Sequence, residues 1–62
     1  MNFYLDEYTI KVNFAGQDFW VMDVNGNIIS DEDQAFRFHK MGAERIAAEK
    51  LPGQDTVIKM VE

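Results

Sequence analysis

Residues Tyr8-Thr9-Ile10-Lys11-Val12-Asn13-Phe14 alternate apolar and polar without a break. Successive side chains of a β-strand point to opposite faces, so the stretch predicts a strand with one buried face. That face carries Tyr8, Ile10, Val12 and Phe14. Such a strand cannot stand alone. It needs neighbouring strands for its backbone groups and a second layer over its apolar face. A chain of 62 residues has room for one such pair of layers, so residues 1–62 are expected to form a single domain.

The neighbours can be read from the residues that follow. Ala15-Gly16-Gln17-Asp18 has turn chemistry, and Phe19-Trp20-Val21-Met22-Asp23-Val24 reads as a second strand, apolar on both faces except at Asp23. Asn25-Gly26 then predicts a type I′ hairpin turn, which requires positive φ at both positions. Asn27-Ile28-Ile29 is the expected return strand. Ser30-Asp31-Glu32-Asp33 imitates a capping box with Asp in place of Glu or Gln. It can open a long helix to Leu51, or form one tight turn followed by an extended Ala35–Phe38 and a helix near Lys40–Leu51. The second is preferred, because Phe36, Phe38 and Gly42 all weaken a continuous helix. Ala43, Ile46, Ala47 and Leu51 fall on one helical face. Pro52-Gly53 ends the helix, and Thr56–Val61 is β-branched and apolar, hence a last strand. The fold class expected is α+β. A mainly antiparallel sheet of three to four strands carries one principal helix over the face bearing Tyr8, Ile10, Val12 and Phe14.

Charge narrows the function classes. Residues 1–36 hold seven acids against Lys11 alone, whereas residues 37–62 hold five bases against four acids. Nucleic-acid binding rests on neutralising phosphates, so direct binding is not expected. No apolar run reaches the roughly 20 residues that span a bilayer. Residues 1–7 lack the basic and apolar regions of a secretory leader. The chain has no cysteine, so it has neither disulfides nor thiolate metal ligands. A cytoplasmic protein is expected.

The motifs favour bland chemistry. Asp23-Val24-Asn25-Gly26-Asn27 begins like a calcium loop, with oxygens at positions 1, 3 and 5. An EF-hand needs Gly at position 6 and Glu at 12, where this chain has Ile28 and Gln34. His39 is the lone histidine, and one histidine without cysteine makes no typical transition-metal site. No nucleophile elbow is present, and paired carboxylates need a cleft that a small two-layer domain has little room to build. Neither catalytic residues, metal ligands nor a cofactor site is therefore expected. Trp20 and Met22 share one face of the second strand with Val24, while Phe19 and Val21 share the other, so one helix cannot cover both sets. Trp20 either joins a second cluster with Ile29, Phe36 and Met60, or belongs to an exposed patch that meets a partner.

The hairpin ending in Asn25-Gly26, the acidic turn at Asp31, the Ala35-x-Arg37-Phe38 piece and the Ala/Glu-rich helix resemble small proteins encoded by bacteriophages and prophages. The chain departs from that pattern at His39-Lys40-Met41, where a polar cap and an acidic first turn are usual. The resemblance implies no common activity. It implies a protein that binds host machinery in the host cytoplasm, defence systems included. The expected function is thus a non-enzymatic binding protein that modulates or inhibits a host protein. Asp23, Asp31, Glu32 and Asp33 would form an anionic end that favours a basic target, such as the nucleic-acid groove of a host enzyme. Trp20 and Met22 would supply apolar contact. The other reading is a self-association module, a homodimer formed through an open sheet edge or the Trp20 face.

Overall fold

The computed structural model describes residues 7–61, and the stretch 1–6 within which no leader was expected lies outside them. Strand β1 (Tyr8–Phe14) is the alternating segment, and its Ile10 and Val12 are fully buried. β2 (Gln17–Val21), β3 (Ile28–Ile29) and β4 (Asp55–Met60) complete one sheet in the order β3-β2-β1-β4, antiparallel at every step. The helix α1 (Lys40–Lys50) packs on β1 and β4. The α+β class and the single principal helix are as expected.

Register assigns the faces. Val12 opposes Phe19 and Thr56, Ile10 opposes Ile58, and Val21 opposes Ile28. These residues share the helix side, where Ile10, Val12, Val21, Phe38 and Ala43 make the core and Tyr8, Ile46, Leu51 and Ile58 surround it. Thr9, Lys11, Asn13, Trp20, Ile29, Asp55, Val57 and Lys59 share the opposite side. Burying a side chain such as Ile10 contributes about 1.5–3 kcal/mol, so these few residues carry much of the stability of so small a domain.

The turns differ from expectation. The two-residue turn with positive φ at both positions is Ala15-Gly16, at 55° and 80°, and it lets pairing run up to Phe14 opposite Gln17. At Asn25-Gly26 only the glycine has positive φ, 86°, so this is no type I′ turn. The Asp23 carboxylate captures the loop instead, as described below. β2 consequently ends at Val21 rather than Val24, and Met22 joins the loop, its N–H donating to Asn27 O at 2.7 Å.

The segment after β3 follows the preferred reading. Glu32–Gln34 form a single 3-10 turn, and Ala35 has extended backbone. The cap, however, is Asp31 and not Ser30. Asp31 Oδ1 accepts from Asp33 N at 3.0 Å, the two-residue reach natural to a short Asx side chain. Phe36 N donates to Val21 O at 2.9 Å, and Phe38 exchanges both backbone bonds with Tyr8, at 2.7 and 2.8 Å. The extended piece thus pairs with β1 beyond the end of β2, and Phe38 enters the core. α1 begins directly afterwards with no side-chain cap at His39.

Candidate interaction surfaces

The expected site residues do not form one surface. Asp23 is the anchor of its own loop. Its Oδ1 accepts from Asn25 N at 2.9 Å and Asn27 N at 3.1 Å, and its Oδ2 from Asn27 Nδ2 at 2.8 Å. These bonds favour the charged form, the Asn27 side-chain amide most of all, and hold the carboxyl below its usual value. The tip of this loop lies against the helix. A Cβ added to Gly26 would stand 2.6 Å from Lys50 Cβ.

Asp31, Glu32 and Asp33 follow β3 on a separate turn. Glu32 and Asp33 border a cavity of about 490 Å3 together with Thr9, Arg37 and Lys59. Thr9 and Lys59 belong to the sheet face opposite the helix, so these acids sit across the sheet from the Gly26–Lys50 contact. Two cations share their cavity, and it is therefore mixed in charge. Arg37 Nη1 is also bonded to Glu7 Oε1 at 3.0 Å. Asp18, at the other end of β2, pairs with Lys11 at 3.9 Å and accepts from Asn13 Nδ2 at 3.1 Å.

Trp20 and Met22 are separated as well. Trp20 is half-buried beside its cross-strand neighbour Ile29. Its indole nitrogen is wholly covered and has no hydrogen-bond partner among the described residues. Met60 stands opposite Tyr8 on the helix side, so register does not place it with Trp20. Met22 is exposed in the loop. The face expected to join Trp20, Met22 and Val24 is absent because the alternation stops at Val21.

A surface outside the expected set lies on the helix side. Val12, Phe14, Ile28, Leu51 and Pro52, together with Gly26, Lys50 and Gln54, line an open groove of about 440 Å3. Phe14 is 57% exposed although it continues the buried row of β1. Length explains this. Seven strand residues extend about 23 Å, whereas eleven helical residues rise only about 16 Å. The helix therefore cannot roof the whole of β1, and the strand end beyond it is left bare. Both lengths were available from the sequence, and comparing them would have marked Phe14 as uncovered.

Among the described residues, no group of three or more histidine or acidic side chains is gathered to hold a metal ion. None of the described helices is long and apolar enough to cross a membrane. Comparison with protein-family models, curated proteins and solved structures gives no match for this chain.

Proposed function

We propose that the chain is a non-enzymatic binding protein that modulates another protein, and that the Phe14–Ile28 groove receives an apolar side chain of this target. The observation that carries the reading is Phe14, a large aromatic left bare beside exposed Ile28 and half-buried Leu51. Aromatic residues around a pocket are the usual centre of a protein interface. The formal net charge of −5 favours a target with a basic surface. The acids act through this long-range field, since Asp23 is engaged in its own loop and Glu32 and Asp33 lie across the sheet from the groove. The resemblance to phage and prophage proteins supports a bacterial host protein as the target and the host cytoplasm as the place of encounter.

Phe14→Ser and Ile28→Ser test this reading. Phe14 is 57% exposed, so Phe14→Ser should keep the fold, and circular dichroism checks Ile28→Ser, whose side chain is 38% exposed in the short strand β3. Immobilised wild-type chain should retain from bacterial lysate a protein that both variants release, and the affinity for that protein, once purified, should fall about tenfold or more. A target held equally by wild type and both folded variants would overturn the proposal.

A further inference from the structure

β4 is an edge strand. Its inner side pairs with β1 along its whole length, and among the described residues nothing pairs with its outer side. An open edge is a template for another strand. Two observations give its hydrogen-bond phase. Val61 N donates to Glu7 O at 2.8 Å, which makes these two a hydrogen-bonded pair. Bonded and non-bonded pairs alternate along an antiparallel ladder, so Lys59, Val57 and Asp55 bond inward to Thr9, Lys11 and Asn13. Tyr8 agrees with this phase, because both its backbone groups bond Phe38 on the other side of β1. The free N–H and C=O groups on the outer edge therefore belong to Thr56, Ile58 and Met60.

We infer that this edge takes a second copy of the chain, antiparallel, with Val57 facing Val57 of the second copy across a two-fold axis. In that register Thr56 of each copy exchanges backbone hydrogen bonds with Ile58 of the other, and these are the groups left free. Asp55 stands opposite Lys59 of the second copy, and symmetry repeats the contact. Both are non-hydrogen-bonded pairs, the closer kind, with Cβ atoms about 4.5–5.5 Å apart. A shift of two residues keeps the hydrogen-bond phase but sets Asp55 opposite Val57 or Val61, so neither charge meets its opposite. The pattern Asp55-Thr56-Val57-Ile58-Lys59 is thus complementary to itself in one register. Among the described residues neither Asp55 nor Lys59 has an ion partner within 4 Å in its own chain. Val57, 50% exposed in the single chain, is covered by its counterpart. The inference is independent of the groove, which lies on the helix side of the sheet.

Sedimentation equilibrium on the full chain tests it. The seam is short, so concentrations from about 10 μM to about 1 mM are needed. Wild type should approach twice the 7.2 kDa of one chain. Asp55→Lys and Lys59→Asp each replace two attractions with two repulsions, and each should weaken the dimer about tenfold or more. An equimolar mixture of the two variants should recover it, because each Lys then meets an Asp. The double exchange Asp55→Lys/Lys59→Asp should dimerise like wild type. Lys59 also borders the cavity holding Glu32 and Asp33, so circular dichroism checks that each variant folds. If one single variant does not fold, the double exchange decides. A wild type that stays monomeric over this range overturns the inference. So does a dimer indifferent to the single reversals, or one that neither the mixture nor the double exchange restores.

Discussion

Gly26 is where the Asp23 loop meets the helix, and Gly26→Ala measures that contact. Two separate terms oppose the substitution. A residue with a Cβ in the left-handed region costs about 1–2 kcal/mol, and Gly26 has φ of 86°. The new Cβ would also lie 2.6 Å from Lys50 Cβ and 3.3 Å from its Cγ. The nearer atom is fixed to the helix backbone, so no rotation of the Lys50 side chain moves it away. Forcing extra atoms into an occupied space costs about 1–3 kcal/mol. The total is about 2–5 kcal/mol, a large share of the roughly 3–9 kcal/mol expected for a chain of this length. Gly16→Ala is the control. Gly16 has φ of 80° with nothing within 4 Å of the added Cβ, so it should lose only about 1–2 kcal/mol. The entropy that alanine removes from the unfolded chain is common to both and cancels in the difference. Urea unfolding of both variants reads that difference directly. Lys50→Gly, added to Gly26→Ala, should recover part of the loss as a non-additive coupling. Equal destabilisation at both glycines, or additivity with Lys50→Gly, would refute the close approach of loop and helix.

Ala15→Asn should stabilise the fold by about 0.5–1 kcal/mol, raising the thermal midpoint by several degrees, because asparagine tolerates the left-handed conformation that alanine resists. His39→Ser should add about 0.5–1 kcal/mol by capping the free N–H groups of α1, seen as higher helical content on heating and a raised midpoint. The folded Asp23 carboxyl titrates below its unfolded value, so its contribution to stability is complete above about pH 4 and fades as pH falls through the folded value. Thermal midpoints of wild type and Asp23→Asn should therefore converge as the pH drops through that window. Trp20→Phe should cost less than about 1 kcal/mol, since it removes a covered N–H that lacks a partner, whereas Trp20→Ala should cost about 2–3 kcal/mol in urea unfolding.

Much of the fold was legible because patterns of period 2 and 3.6 survive burial. Tyr8–Phe14 could pair only as a strand with one covered face, and Ala43, Ile46 and Ala47 could bury only against it. The extended Ala35–Phe38 was legible from poor helix formers in sequence. The turns were less legible because they depend on competition between local bonds. Asn25-Gly26 has the residues of a type I′ turn, yet Asp23 two positions upstream offers a carboxylate to three N–H donors. Those bonds draw Met22 and Val24 out of the strand. Ala15-Gly16 takes the left-handed turn although alanine disfavours it, because only there can the ladder close from Phe14 to Gln17. The expected anionic end failed as a unit for a related reason. Nearness in sequence gathered Asp23 with Asp31, Glu32 and Asp33, but β3 lies between them and each group is held by its own turn. Phe14 escapes the sequence reading because alternation marks which face of a strand is buried, not how far along the strand the covering layer reaches.

The two proposed surfaces can act together. An antiparallel β4 seam has its two-fold axis perpendicular to the sheet, so both helices of the pair lie on one side. The two Phe14–Ile28 grooves then open on that same side, and the 3-10 turns with Glu32 and Asp33 lie on the other. A dimeric or repetitive target could engage both grooves at once. The second contact would then be intramolecular and would raise apparent affinity by about 10²–10⁴-fold without any new bond. Lys59→Asp should reduce that gain by weakening the dimer while leaving each groove intact, whereas Phe14→Ser should weaken each groove's binding about tenfold or more while leaving the dimer intact. Surface-bound target at high and low density separates the two in a binding assay. Wild type should dissociate more slowly at high density, and Lys59→Asp should show less of this difference. Density-independent dissociation of wild type would show that the grooves act singly, even if both surfaces are real.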